Sequence, residues 1–213
     1  MLWSTAEIAD ALETGLRHRA AADDLEQVVY GFDALDEVGL HPLLAECLEA
    51  GGYGVYREQR YPSRWVERKR SRGERCDLVL TQDRLPLKDE AVAGTLFDSS
   101  AGVEVSDAYW LEVKLVAQHE TGGAFRRYSA ELLAPVTKDL TKLWNEPAIR
   151  YGGLCLVLLT GEQEVAEHDL GVWHARCVEW GLPASVPSVR GLPITNRIGN
   201  GWCSVAVVGV RGV

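Results

Sequence analysis

The chain has 213 residues, of which 46% are hydrophobic and 25% charged, as is usual for a globular protein with a real core. A formal net charge of −9 argues against a protein that coats nucleic acid without specificity. No apolar run reaches the roughly 18 residues that a membrane helix needs, and the first residues lack the pattern of a signal peptide. We therefore expect a cytoplasmic protein that forms one domain over residues 1–213.

The cysteines are scattered, odd in number and without a C-x-x-C pair, and several lie in apolar runs. They are Cys47, Cys76, Cys155, Cys177 and Cys203. This pattern favours buried free thiols over a disulfide framework or a zinc site.

One segment of this acidic chain concentrates positive charge. Between Arg57 and Arg75 there are eight basic residues and only three acidic ones. Because arginine pairs well with phosphate, the segment predicts contact with nucleic acid; an ordinary exposed hairpin and a protein-binding patch are the alternatives. The residues expected at this contact are Arg64, Arg68, Lys69, Arg70 and Arg72.

The spacing of apolar residues predicts the order of helices and strands. Helices are expected over the first thirty residues, 39–50, 125–145 with a kink or break at Pro135, and 163–181. Strands are expected at 53–61, 75–81, 109–116, 153–160 and 202–208, with a long excursion at 83–107 and an irregular connection at 182–201. This order predicts an α/β fold, a mixed central sheet flanked by helices.

Charged residues interrupt two of the apolar strands. Asp77 lies in the strand at 75–81, and Glu112 and Lys114 lie two residues apart in the strand at 109–116. Alternate residues of a strand share a face, so Glu112 and Lys114 project together, and Asp77 meets them if the two strands pair. A salt-bridge group on an edge strand is the alternative, but the apolar character of both strands indicates positions inside the sheet.

Two carboxylates that are brought together repel each other unless a cation lies between them. Mg²⁺ prefers oxygen ligands, and the backbone carbonyl of Val113 is a further candidate ligand beside Asp77 and Glu112. The ammonium of Lys114 can orient an attacking water or help to deprotonate it, and can stabilise charge that develops on a phosphate.

The pattern Asp77…Glu112-Val113-Lys114 resembles the PD-(D/E)XK nucleases, the restriction-endonuclease-like superfamily, although Cys76 stands where the family name has proline. The resemblance covers about residues 39–160 and implies an α-β-β-β-α-β core, here with an extra N-terminal helix and a C-terminal helix-strand addition. It implies that Asp77 and Glu112 bind Mg²⁺, with Mn²⁺ as a substitute, and that Lys114 is the catalytic lysine.

The resemblance also implies an acid from the first core helix, for which Glu46 is the first candidate and Glu37 and Glu49 are rivals. It further implies phosphate contacts by Lys138 and Lys142 on the helix that follows the third strand. The expected substrate is DNA rather than RNA. The expected assembly is a homodimer or a larger defence or repair complex. The alternative is a catalytically inactive subunit on the same fold that binds nucleic acid or supports assembly.

Overall fold

The structure is a computed structural model that describes residues 3–64, 75–88 and 102–211, with the backbone alone at residues 64, 134, 135 and 211. The described helices are α1 (Thr5–Leu25), α2 (Glu37–Ala50), α3 (Tyr128–Asn145) and α4 (Gln163–Glu179). The described strands are β1 (Gly54–Arg60), β2 (Arg75–Thr81), β3 (Tyr109–Ala117), β4 (His119–Glu120), β5 (Gly123–Ala124), β6 (Tyr151–Thr160), β7 (Ser188–Pro193) and β8 (Trp202–Arg211).

Six of these strands form one mixed sheet in the order β1-β2-β3-β6-β8-β7. The strands β1, β2 and β3 form an antiparallel meander, and β3 pairs with β6 in parallel. A parallel pair needs a crossover connection, which here contains α3. The strands β6, β8 and β7 are antiparallel, and β4 and β5 form a small separate hairpin. The protein is therefore α/β with a mixed six-stranded sheet flanked by helices.

Both faces of the sheet are covered, and β6 shows how the sequence achieves this. Its residues alternate between two hydrophobic clusters: Cys155, Val157 and Leu159 pack on the side of α1 and α2, while Leu154, Leu156 and Leu158 pack on the side of α3 and α4. A continuous apolar run is what a strand buried on both faces requires. Its position at the centre of the sheet confirms the prediction made for 153–160.

The start of α2 matters for the site. Asp36 caps the helix, since its side chain accepts a hydrogen bond of 2.7 Å from the backbone N–H of Gly39. The first helical residue is therefore Glu37, and His41 follows one turn later on the same side of the helix. Gly51 follows the last turn, as the sequence predicts.

Several predicted features were wrong. The first helix ends at Leu25, and Leu25 and Val29 are exposed because the chain turns away from the core at Gln27, whose φ is +52°. The helix α3 is continuous through position 135, so the break, one of the two outcomes expected at Pro135, does not occur.

The connection at 182–201 contains the strand β7, which was not predicted. Its glycine and its terminal proline are typical of loops, but an edge strand tolerates both because one side of its backbone needs no partner. All five cysteines are buried and free, which confirms the prediction for them. Within the described ranges, no helix has both the length and the apolar character needed to cross a membrane.

Candidate active site

The register of β2 on β3 brings Asp77 and Glu112 together. The pairing runs from Leu80 opposite Tyr109 to Leu78 opposite Leu111, so Asp77 and Glu112 are the next residues in register. Opposed residues of an antiparallel pair share a face and lie close together. The ladder ends at this point, and the two strands separate beyond it.

Carboxylates occupy the opening between the separated strands. Asp77 Oδ2 accepts a hydrogen bond of 2.8 Å from the backbone N–H of Val113, and Glu37 Oε2 accepts one of 3.1 Å from that of Leu115. These two N–H groups would otherwise lack a partner, since β2 no longer pairs here. The N–H and C=O of one strand residue point to the same side, so the carbonyl of Val113 also faces the opening.

Lys114 lies at the same opening. Its Nζ forms an ion pair of 2.7 Å with Glu37 Oε2, so one carboxylate oxygen contacts both the lysine and the backbone of β3. An open cleft of about 380 Å³ reaches Lys114 and Glu37, and the hairpin of β4 and β5 contributes Glu120 to its wall. The predicted lysine is thus held by a helical acid and is accessible from solvent.

Glu112 is buried, with an exposed fraction of 4%, and its carboxylate has two close partners. Lys142 Nζ lies 2.6 Å from Glu112 Oε1, and the hydroxyl of Tyr61 donates a hydrogen bond to the same oxygen. The ammonium also donates to the carbonyl of Arg75 at 3.0 Å and lies 5.0 Å from the ring centroid of Tyr61. Burial and the neighbouring Asp77 carboxylate raise the pKa of Glu112 to about 7, although Lys142 opposes this.

Asp139, on α3 one turn before Lys142, was not predicted as a site residue. Burial and the Glu112 carboxylate raise the pKa of Asp139 to about 6. Burial likewise raises the pKa of Asp77, although the hydrogen bond from the N–H of Val113 has the opposite effect and lowers it. We refer to Glu37, Asp77, Glu112 and Asp139 as the acidic cluster. Burial is the main cause of the raised pKa values of Asp77, Glu112 and Asp139, and a buried carboxylate favours the uptake of a proton or of a cation.

Asp77 belongs to a second group on the α2 side. The ligand atoms of His41, Glu58 and Asp77 all lie within 4.8 Å of one another, close enough to share a metal ion. His41 Nδ1 is 3.9 Å from Glu58 Oε1 and 4.0 Å from Asp77 Oδ1. Burial lowers the pKa of His41, which favours the neutral imidazole that metals bind.

The structure does not bring Glu46 to this site. Glu46 is exposed near the far end of α2, on a groove with Glu49, Tyr53 and Arg84. Nine residues of helix separate it from Glu37, about 13 Å at 1.5 Å per residue. The helical acid at the site is therefore Glu37, which the sequence offered as a rival of Glu46.

The two lysines of α3 have different surroundings. Lys142, predicted to contact phosphate, has its ammonium engaged by Glu112 and by the Arg75 carbonyl, so it belongs to the interior of the site. Lys138 is exposed on the same helix. Asp139 was not predicted, but the sequence carried a signal for it. Asp139 and Lys142 are three residues apart, so the helix places their opposite charges on one face.

Most of the basic segment lies outside the described residues, which resume at Arg75 after Arg64. This applies to Arg68, Lys69, Arg70 and Arg72, and the side chain of Arg64 is not described either. Their contact with nucleic acid stays a prediction.

Comparisons with protein-family models, with curated proteins and with solved structures find no match to this chain. The geometry of the site is therefore the basis on which a function can be inferred.

Proposed function

We propose that this protein is a metal-dependent nuclease of the restriction-endonuclease-like type. The observation that supports the proposal is that Asp77 and Glu112 are next in register where the β2–β3 ladder ends, with Lys114 two residues after Glu112 and paired with Glu37. The order α2-β1-β2-β3-α3-β6 supports the finer fold assignment, since it reproduces the α-β-β-β-α-β core that the resemblance implies.

The donor set fits the Mg²⁺ that this type of enzyme uses. Asp77 and Glu112 supply carboxylate oxygens, and the Val113 carbonyl faces the same opening. The raised pKa values of both acids support the fit, because burial disfavours their ionised forms and a bound divalent ion would favour them. When bound, such an ion polarises a phosphodiester and lowers the pKa of water.

The residues of the chain itself have distinct roles in the proposed hydrolysis. Lys114 holds the attacking water and stabilises negative charge on the phosphate, and Glu37 fixes the direction of its side chain through the 2.7 Å ion pair. Tyr61 holds Glu112 by a hydrogen bond to the oxygen that Lys142 also contacts. Such support keeps catalytic groups in one geometry before substrate arrives.

DNA is the proposed substrate, with RNA less favoured. The acidic net charge makes broad electrostatic binding weak, so contact must be local. The basic segment follows β1 and returns to β2 directly beside Asp77, and exposed Lys138 lies on the helix that supplies Lys142. In the proposal, these basic residues hold the phosphates of the substrate beside the acidic cluster. Mn²⁺ as a substitute ion, a homodimer, and a role in restriction, anti-phage defence or repair remain part of the proposal.

The test is cleavage of plasmid, single-stranded DNA and RNA with Mg²⁺ or Mn²⁺, by the wild-type protein and by Asp77→Asn and Lys114→Ala. Glu164→Gln is the matched control, because Glu164 is exposed on α4 away from the site. We expect cleavage by the wild type and the control, and loss in both site variants with the fold retained by circular dichroism. Cleavage that persists in both site variants would contradict the proposal.

One observation favours the second candidate, a nuclease-fold subunit that binds nucleic acid without cutting it. The ammonium of Lys142 already lies on Glu112, where it supplies a positive charge of the protein's own. In that case the wild type binds DNA in a mobility-shift assay and leaves it intact with either ion.

A further inference from the structure

The group formed by His41, Glu58 and Asp77 places two carboxylates beside one buried imidazole. Asp77 and Glu58 are opposed in the register of β1 on β2, between the pairs Arg57–Leu78 and Gln59–Cys76. Like charges directly opposite each other destabilise a sheet. Among the described residues, neither carboxylate forms an ion pair with lysine or arginine, and each lies within 4.0 Å of the imidazole of His41.

The imidazole of His41 is 95% buried. Within the described part of the chain Nε2 has no hydrogen-bond partner, and Nδ1 is 3.9 Å from Glu58 Oε1 and 4.0 Å from Asp77 Oδ1. Those separations are too long for hydrogen bonds, and they exceed by roughly 0.5 Å the spacing of tetrahedral ligands held at about 2.0–2.2 Å, so a bound ion would draw the three groups together. A buried polar ring without partners is costly, so a role in binding explains its presence.

The backbone of Glu58 supports the same conclusion. Its φ is +54° in the middle of β1, a backbone conformation that residues with a Cβ rarely adopt. Arg75 Nη1 holds the deviation in place by donating a hydrogen bond of 2.6 Å to the Glu58 carbonyl. Glu58 and Asp77 do not form a ladder pair, although the residues on either side of them do. The irregularity in β1 therefore lies where both carboxylates are near His41. Strain that the surroundings maintain is typical of binding sites.

We infer that His41, Glu58 and Asp77 form a binding site for a divalent transition-metal ion, separate from the position between Asp77 and Glu112. One nitrogen and two carboxylate ligands suit Mn²⁺, Fe²⁺, Co²⁺ or Zn²⁺ better than Mg²⁺, which takes oxygen ligands alone. Asp77 lies between the two positions, with Oδ1 toward His41 and Oδ2 on the N–H of Val113. The inference concerns metal binding and does not require cleavage of any substrate.

The test uses Mn²⁺ as the probe, counted by the loss of its free electron-paramagnetic-resonance signal as protein is added. Glu112→Gln isolates the site by removing the other position, and His41→Gln and Glu58→Gln are then added singly. We expect each addition to weaken Mn²⁺ binding at least about 10-fold, the smallest loss seen when even a hydrogen-bond partner of a metal ligand is removed. Glu58 is half exposed, so its variant folds even if the His41 variant does not.

Electron spin-echo measurements on the Glu112→Gln protein supply a second readout, the coupling between Mn²⁺ and an imidazole nitrogen. We expect that coupling to be present, to vanish in the variant that also carries His41→Gln, and to remain with His18→Gln, since His18 is exposed on α1. Unchanged Mn²⁺ affinity in both double variants, or absence of nitrogen coupling in the Glu112→Gln protein, would overturn the inference. Neither result depends on nuclease activity, so this site and the proposed function fail independently.

Discussion

Replacing Lys142 by methionine tests the electrostatics of the acidic cluster. The substitution keeps the apolar stem that packs near Tyr61 and removes the ammonium 2.6 Å from Glu112. Removing one partner of a buried ion pair costs about 3–5 kcal/mol, and the lower end applies because the Lys142 side chain is 18% exposed. At about 2–4 °C per kcal/mol for a chain of this size, we expect Tm at pH 8 to fall by about 6–12 °C.

The loss of stability in Lys142→Met must depend on pH, and the pKa of Glu112 determines whether the loss is larger at high or at low pH. The folded value of about 7 is above the ordinary 4.5, so ionised Glu112 destabilises the fold, increasingly as pH rises from 4.5 to 7. At pH 5 Glu112 is largely protonated in the folded protein, and the ammonium has less to neutralise. Most of the destabilisation by Lys142→Met should therefore be absent at pH 5.

The assay is thermal unfolding followed by circular dichroism at pH 5 and pH 8, with a chelator present. Lys138→Met is the control, since Lys138 is exposed on the same helix and its substitution should change stability by no more than about 0.5 kcal/mol. An equal loss of Tm for Lys142→Met at both pH values, or no loss at pH 8, would refute the electrostatic reasoning. Adding Mn²⁺ should raise the Tm of this variant more than that of the wild type, because the ion replaces the missing positive charge.

Two further substitutions test other parts of the site. Glu37→Gln should reduce the rate of DNA cleavage at least about 10-fold, because it releases the side chain of Lys114. Glu46→Gln should cleave at the wild-type rate. If Glu46→Gln slowed cleavage and Glu37→Gln did not, Glu46 would be the helical acid of the site, as first predicted from the sequence. Glu58→Gly should stabilise the metal-free protein by about 1 kcal/mol in urea unfolding, because glycine adopts φ of +54° without strain. Glu58→Gln retains the strained backbone, so an equal gain with glutamine would assign the effect to charge instead.

The meeting of Asp77 with Glu112 could be predicted because a strand has a period of two and its pairing register follows from which residues must be buried. The same period placed Glu112 and Lys114 on one face. Glu58 could not be placed in this way, since a positive φ within β1 breaks the alternation on which the prediction depends. No pattern of residue types signals that deviation.

The contributions of the helices were harder to predict, for a physical reason. An amphipathic pattern shows which face of α2 is buried, but not which end lies beside the gap between β2 and β3, so Glu46 was preferred to Glu37. Asp139 and Lys142 reach the site only because α3 docks at a particular angle on the sheet. Such docking depends on side-chain packing between distant segments rather than on local spacing.

We propose that Lys114 acts beside two metal-binding carboxylates. This role is tested most directly by measuring the rate at which the Mn²⁺-activated protein cuts labelled DNA. We expect Lys114→Ala to bind Mn²⁺ as the wild type does and to cut at least about 100-fold more slowly, the scale of losing one group that stabilises charge in the transition state. A wild type that binds Mn²⁺ and leaves every nucleic acid intact, or a Lys114→Ala protein that cuts at the wild-type rate, would contradict the account.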